Sequence, residues 1–372
     1  MHDVIIIGIG CVGAATTYEL SKTDLDILSL DQFNVPNEKG SSHGSSRIMR
    51  LAYHEGEKYV PLLYDSLDDW FKLEEKSDKD LFFQTGSLVL GSENTDKFEL
   101  SKSTCDEFDI PYKMYNNKEL KDLYPAWDIP NKYHGMYQPQ GGLLDNEECI
   151  KTQVELARKN GAKINTCEKV LDWNKNKEGN FNVKTNKTNY NTKKLVIASG
   201  PWAKKHVNKL DELLSVERHV AGKFNMRDNK FFNKSNFPVW IFDTGSKKYY
   251  GLPSHKGKYT KVGETTEKEI ISDMSNFNRD VSKKETNSLT KFYDEYTCSS
   301  VNEVDHISPC PLTNTPDSDF IIDEIEPDVF AGVGLSGHGF KLSNIIGKIL
   351  NNLIQNNTIK YNIEPFSVNR FN

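Results

Sequence analysis

The hydrophobic pattern changes period within the first thirty residues. Residues 4–7 are an unbroken run of Val and Ile, which is how a parallel strand buried on both faces reads. Gly8, Gly10 and Gly13 follow at once, and residues 14–21 predict a helix with small side chains on its early turn. Residues 26–30 form a second apolar strand, closed by Asp31, so the segment is a βαβ unit. Farther along, Leu62, Leu63, Leu67, Trp70, Phe71 and Leu73 recur at helical spacing and predict a helix over 60–76. A strand is expected over 85–91, a helix over 150–159, and strands at 162–165 and around Val170. Residues 180–191 alternate around turn formers, as a hairpin does. Residues 195–198 read as another buried strand, 320–323 and 329–333 as late strands, and 334–341 as a Gly-rich lead into a helix ending near Gln355. Strands able to share one parallel sheet stand at both ends of the chain and in its middle. The expected domains are therefore interleaved.

Composition narrows the function classes. The 372 residues are 37% hydrophobic and 27% charged, with 19 Phe, 16 Tyr and 5 Trp, enough large apolar side chains to build a core. The net charge of −6 shows none of the basic excess of a nucleic-acid binder. No run approaches a membrane span, and residues 4–9 are too short and unflanked for a secretory signal, so a cytoplasmic protein is expected. The six cysteines are scattered without close pairing, which suggests free thiols and no metal site.

The glycine motif carries the first chemistry. Gly8 permits a tight turn, Gly10 lets the backbone approach a pyrophosphate, and Gly13 lets helix and strand pack closely. Phosphates then meet the free N–H groups of a helix N-terminus. Asp31 follows about 20 residues after the motif, where an acid accepts hydrogen bonds from a ribose diol. This predicts dinucleotide binding and leaves NAD and FAD open. The motif's place near the start of the chain and the late Gly-rich segment at 332–339 favour FAD.

Several ordered segments then make the chain similar to the flavin-dependent N-methyl amino acid oxidases, the family of monomeric sarcosine oxidase, N-methyltryptophan oxidase and pipecolate oxidase. They are the glycine motif, the run from Ser42 and His43 through Arg47 to Arg50, the segment 56–61, Tyr249 to Pro253, Thr315 to Asp317 with 320–323, and Leu335 to Lys341. The resemblance spans nearly the whole chain. It implies an α/β fold in which a Rossmann-like FAD-binding domain (1–80, 150–215 and 305–372) is interleaved with a mixed-sheet substrate domain (81–149 and 216–304).

The resemblance also implies roles. Arg50 and Lys341 match the cations that hold a substrate carboxylate, a task suited to a planar donor fork beside a second positive charge. Lys261 matches the lysine that activates O2, and Arg47 a residue beside the flavin. Tyr250 matches an aromatic pocket wall, and the Gly337 carbonyl an acceptor for the substrate amine. FAD is expected to meet Gly8, Gly10, Gly13, Asp31, Ser42, His43, Arg47, Val170, Gly337, His338, Gly339 and Lys341. Cys310, taken alone, reads as an ordinary small apolar residue. Its spacing before Asp323 is the one at which this family attaches the flavin 8α-methyl covalently.

Two positions depart from the sarcosine oxidase pattern: Thr265 stands in place of a histidine and Leu312 in place of a tyrosine. The expected reaction is oxidation of an N-methyl amino acid by O2 in a monomer, giving the demethylated amino acid, formaldehyde and hydrogen peroxide. A substrate bulkier or more apolar than sarcosine is expected. Oxidation of cyclic imino acids or other amines, a flavin dehydrogenase with another acceptor, and a flavoprotein kept only for binding are the competing readings. An NAD dehydrogenase would leave Cys310 and 336–341 without a role.

Overall fold

The structure, a computed structural model, describes residues 1–371, apart from the side chains of 266–268. The apolar runs at the start of the chain form the centre of an eight-stranded sheet. His2–Ile7 lies between Ile27–Leu30 and Asn189–Ile197, parallel to both, and Val4, Ile5 and Ile6 are wholly buried. Lys163–Asn165 extends the sheet beyond Ile27–Leu30. On the other side, Leu195–Ile197 takes Val329–Ala331 in parallel. The hairpin of Val170–Lys175 and Phe181–Thr185 continues antiparallel from the outer half of Asn189–Ile197.

Helix Cys11–Leu20 is buried almost all round, so it shows no amphipathic stripe. Its small residues let a second helix, Ser343–Ile354, approach closely: a Cβ at Gly347 would lie 2.7 Å from the Ala15 carbonyl carbon. That approach welds the last helix of the chain to the first.

A second eight-stranded sheet runs, in spatial order, Val301–Asn314, Ser215–Met226, Thr260–Ile271, Lys248–Leu252, Val239–Asp243, Ser87–Gly91, His134–Gln138 and Lys113–Tyr115. It is antiparallel except where Val239–Asp243 meets Ser87–Gly91. One face packs an aromatic core of Trp127, Trp240, Phe242 and Phe292 against helix Lys283–Tyr296. A three-stranded sheet of Arg47–Met49, Gly142–Leu144 and Phe82–Phe83 lies apart from both. The chain thus passes repeatedly between sheets. Residues 305–314 run in the second sheet, because Val301–Asn314 hydrogen-bonds along its length to Ser215–Met226.

Element boundaries moved where polar residues start an element. The helix expected over 150–159 begins at Asn146, because the Asp145 carboxylate accepts from the Glu148 N–H at 3.1 Å and caps a polar first turn. The strand expected over 85–91 starts at Ser87, after Gly86 turns the chain at φ +73°. Among the described residues no helix is long and apolar enough to cross a membrane.

Candidate active site

A cavity of about 1090 Å³ opens beside the carboxyl ends of the parallel strands and reaches the second sheet. It is at the upper limit of ordinary small-ligand pockets, about 300–1,000 Å³. Every candidate residue except Gly13 lines it. Gly13 sits behind the wall, where a Cβ would fall 1.8 Å from the Gly8 carbonyl oxygen. At Gly10 the nearest atom to such a Cβ is the Ser42 Oγ, at 3.4 Å, so the backbone there faces open space.

This end is set by main chain. Gly10 precedes helix Cys11–Leu20, and the Cys11 N–H donates to Ser42 Oγ at 3.1 Å. The Asp31 carboxylate accepts from the Ile9 N–H at 2.7 Å and the Phe33 N–H at 2.8 Å. Burial raises the Asp31 pKa despite those two bonds. Each carboxylate oxygen keeps a further lone pair for a diol. Arg47 pins the loop above by donating to the carbonyls of Ser41 (2.9 Å), His43 (2.6 Å) and Ser46 (2.8 Å). Asn146, which the sequence reading did not single out, donates to Ser42 and Gly44 carbonyls from below.

The donor set fits a dinucleotide. Ser41 Oγ, Ser199 Oγ and His43 Nε2 are buried along this wall with no hydrogen-bond partner among the described residues. Such orphaned groups call for a bound polar partner. Burial and the neighbouring Arg47 hold the His43 pKa down at about 3, so the ring is neutral.

The middle of the cavity brings Lys261, Tyr250 and Cys310 together from three strands of the second sheet. The Lys261 ammonium lies 6.0 Å from the Tyr250 ring centroid and 3.4 Å from the Ser46 carbonyl. Burial, then repulsion from Arg47, lowers its pKa to about 7. Burial raises the Tyr250 phenol to about 12. Cys310 is half-buried, its Sγ 3.7 Å from the Ser41 carbonyl. Burial raises this thiol, and the charges of Arg47, Lys261 and Arg279 oppose the rise.

Pro309 and Pro311 flank Cys310 without breaking the strand, because Val301–Asn314 is an edge with one hydrogen-bonded neighbour. Strand alternation then turns Ser308, Cys310 and Leu312 toward the cavity. His219 stands opposite Cys310 in register, and its Nε2 lies 3.0 Å from the Glu217 carboxylate. Nothing local in the sequence marked that pair.

The far end is a buried knot of charge. Arg50 is 3% exposed and gives Glu55 a two-oxygen contact, 2.6 Å to each. It also stacks 4.5 Å from the Tyr53 ring centroid. Burial alone would raise the Glu55 pKa, but the Arg50 charge holds it well below the usual range. The Lys341 ammonium donates to the His338 carbonyl at 2.6 Å and to Tyr53 Oη at 3.4 Å. Burial, then repulsion from Arg50, brings its pKa down to about 7. Glu55 and Tyr53 carry no motif signal of their own.

Between these ends runs the loop 334–339, with Gly334, Ser336 and Gly337 at φ +66°, +46° and +79°. A Cβ at Gly337 would lie 3.1 Å from Leu312 Cδ1, so Leu312 packs on this loop. The His338 ring turns into the core: Nδ1 is 2.7 Å from Tyr53 Oη, Nε2 is 3.1 Å from the Ser318 carbonyl, and the ring packs on Phe320. With both nitrogens occupied, His338 offers the cavity its backbone. Gly339, beside it, and Val170, at the opposite rim, complete the expected set.

The comparisons with known proteins agree with this geometry. A family model described as FAD dependent oxidoreductase matches residues 3–353. Monomeric sarcosine oxidase of Bacillus sp. (strain NS-129) is 32% identical, over 99% of this chain and 96% of that protein. N-methyl-L-tryptophan oxidase of Yersinia pestis (strain Pestoides F) is 28% identical, over 100% of this chain and 99% of that one. Among solved structures, the open form of NikD, described as an unusual amino acid oxidase, superposes with a TM-score of 0.87 at 21% identity, covering 98% of this chain and 97% of that chain. The chain therefore belongs to the FAD dependent oxidoreductase family, as a full-length homologue of monomeric sarcosine oxidase and N-methyl-L-tryptophan oxidase.

Proposed function

We propose that this protein oxidises an N-alkyl amino acid larger than sarcosine, using O2. The secondary amine and O2 become an imine and hydrogen peroxide, and water splits the imine to an aldehyde and the primary amino acid. For an N-methyl substrate the aldehyde is formaldehyde. The observation that carries the reading is the convergence of Arg50, Lys341, Lys261 and Tyr250 on the cavity that Gly10 and Cys310 also line. Bound FAD supplies the two-electron acceptor and passes electrons on to O2.

Each side chain has a task in this reading. Arg50 and Lys341 hold the substrate carboxylate, and the Gly337 carbonyl accepts from the amine N–H. Tyr250 walls the pocket. Lys261 places positive charge where O2 gains negative charge. Gly8, Gly10, Asp31, Ser42, His43 and Val170 hold FAD, with Arg47 fixing their loop and Cys310 as the point of covalent attachment. Thr265 and Leu312, smaller or less polar than the family's histidine and tyrosine, leave room for a longer substituent. The division into a cofactor unit (1–80, 150–215, 305–372) and a substrate unit (81–149, 216–304) belongs to the same reading, with 305–314 running in the substrate unit's sheet. So does a cytoplasmic monomer, which the six free cysteines suit.

Acid precipitation of purified protein tests the attachment. Yellow colour is expected in the pellet, and in the supernatant for Cys310→Ser. Oxygen consumption with a series of N-methyl amino acids tests the chemistry. Turnover of sarcosine equal to that of larger analogues would count against the enlarged pocket, and an absence of peroxide in air against the oxidase.

A further inference from the structure

Lys97 is among the cavity cations left over from that assignment. It lies on the first turn of helix Asp96–Glu107, half-buried, and lines the cavity beside His54, Glu55 and Lys248. Its Nζ has no hydrogen-bond or ion-pair partner among the described residues. The negative groups nearest to it are committed elsewhere. Glu55 gives both oxygens to Arg50 at 2.6 Å. Asp243 accepts from the Gly245 N–H at 2.9 Å and from the backbone N–H of Lys97 itself at 3.4 Å. Burial lowers the Lys97 pKa; the Glu55 charge opposes this, and repulsion from Arg50 and Lys248 adds to it.

Lys248 extends the same positive wall. It lies on strand Lys248–Leu252, its carbonyl accepts from Thr265 Oγ1 at 3.3 Å, and it lines the cavity with Thr265 and Ile241. The half-buried Lys97 ammonium, without a counter-ion among the described residues and in a pocket whose first carboxylate site is already provided by Arg50 and Lys341, is built for a second anionic group. Thr265 lines the same cavity with a short side chain.

We propose that Lys97 holds a second carboxylate on the substrate, so that the preferred substrates are dicarboxylic N-alkyl amino acids. This rests on the proposed function for the reaction itself, but the anion site can be tested without turnover.

The test uses FAD-loaded protein and two amine-free acids of equal chain length, glutarate and pentanoate, with binding read from the perturbed absorbance of the bound cofactor. Glutarate is expected to bind on the order of tenfold more tightly than pentanoate, the scale of one charge-assisted contact. Lys97→Met should bring the ratio close to one, and Lys97→Arg should keep it. Both substitutions suit a helix turn, and thermal unfolding checks that each variant folds. A parallel assay of oxygen consumption compares N-methylglutamate with N-methylnorvaline.

Equal affinity for the two acids in the native protein overturns the proposal. So does an equal loss of both in Lys97→Met, which would mean that Lys97 only supports Glu55 or Arg50. A glutarate preference that depends on Lys97, in a protein that oxidises neither amine, sustains the second anion site and sinks the oxidase reading. Oxidation of both amines without a glutarate preference does the reverse.

Discussion

The two ends of the cavity are built in opposite ways. At the glycine end the wall is backbone: Gly8, Gly10 and the first turn of helix Cys11–Leu20, with Asp31 and Ser42 fixed by main-chain N–H groups. From the middle to the lysine end the wall is side chains: Lys261, then Arg50, Lys341 and Lys97, brought from loops, a helix and strands far apart in the chain. Backbone geometry is set by sterics and does not change with pH. Clustered ammonium groups depend on burial, on each other and on one carboxylate, Glu55. Errors at the first end should therefore show in folding, and errors at the second in affinity and pH dependence.

The largest effect should come from Gly13→Ala. Its Cβ would lie 1.8 Å from the Gly8 carbonyl oxygen and 2.8 Å from its carbon, both backbone atoms of a buried turn. Relief requires moving the helix off the sheet, at about 4 kcal/mol or more. The expected result is loss of soluble folded protein. Gly10→Ala is the control that sharpens the contrast, since its Cβ would meet only Ser42 Oγ at 3.4 Å. That variant should melt near the native temperature when cofactor-free, yet retain FAD poorly. Similar melting of both variants would break the distinction between the packed glycine and the facing one.

Next in size is Lys261→Met. Removing a cation placed for developing negative charge should lower oxygen consumption by about 10²–10³-fold. Cofactor-free protein should unfold no earlier, because a buried ammonium is replaced by an apolar chain of similar length. A fall in melting temperature without loss of oxygen consumption would make Lys261 a structural residue.

Glu55→Gln should act more modestly and in two directions. Arg50 loses its internal partner, so the protein should lose about 1–3 kcal/mol of stability. An added carboxylate such as pentanoate no longer competes with Glu55 for the Arg50 fork and should bind more tightly, read by titration against the bound flavin. Weaker binding would mean that Glu55 orders Arg50 for the ligand.

The same contrast explains what could be read in advance. The glycine end lies within the first 31 residues, where three glycines, two apolar runs and an acid specify turn, helix and strand locally. The lysine end has no such contiguity. Arg50 and Lys341 were legible through resemblance, but the pairing of Arg50 with Glu55 and of Lys341 with Tyr53 was decided by tertiary packing. His219 stands opposite Cys310 because of strand register in the second sheet, and no periodicity across the intervening residues reports that pairing. Nothing along the chain marks Lys97, which reaches the pocket because its helix lies against strand Val239–Asp243, where Asp243 accepts from the Lys97 N–H. Pro309 and Pro311 are accommodated because their strand is an edge, and an edge strand and a central one cannot be told apart along the chain.

The remaining contrast is a pH dependence that separates affinity from stability. Burial, with repulsion from Arg50, holds the Lys341 amine at about 7 instead of 10.5, and Lys261 shows the same displacement. In the ligand-free pocket, Lys341 is charged below about pH 7 and neutral above it, so pentanoate affinity should fall as pH rises through that value. Lys341→Arg carries a charge that does not titrate in this range, and its affinity should stay level. Stability should move the other way. Between about pH 7 and 10.5 the unfolded chain keeps protons on these two lysines that the folded chain has released, so folding becomes more favourable as pH rises. Below about 7 the full penalty of burying two ammonium groups is present. Urea unfolding of the cofactor-free protein at pH 6.5 and 9 should show this rise, and the double substitution of Lys261 and Lys341 by Met should flatten it. If affinity and stability instead rose or fell together, the ammonium groups would be compensated by a partner in the folded protein, and the lysine end would be as rigidly preset as the glycine end.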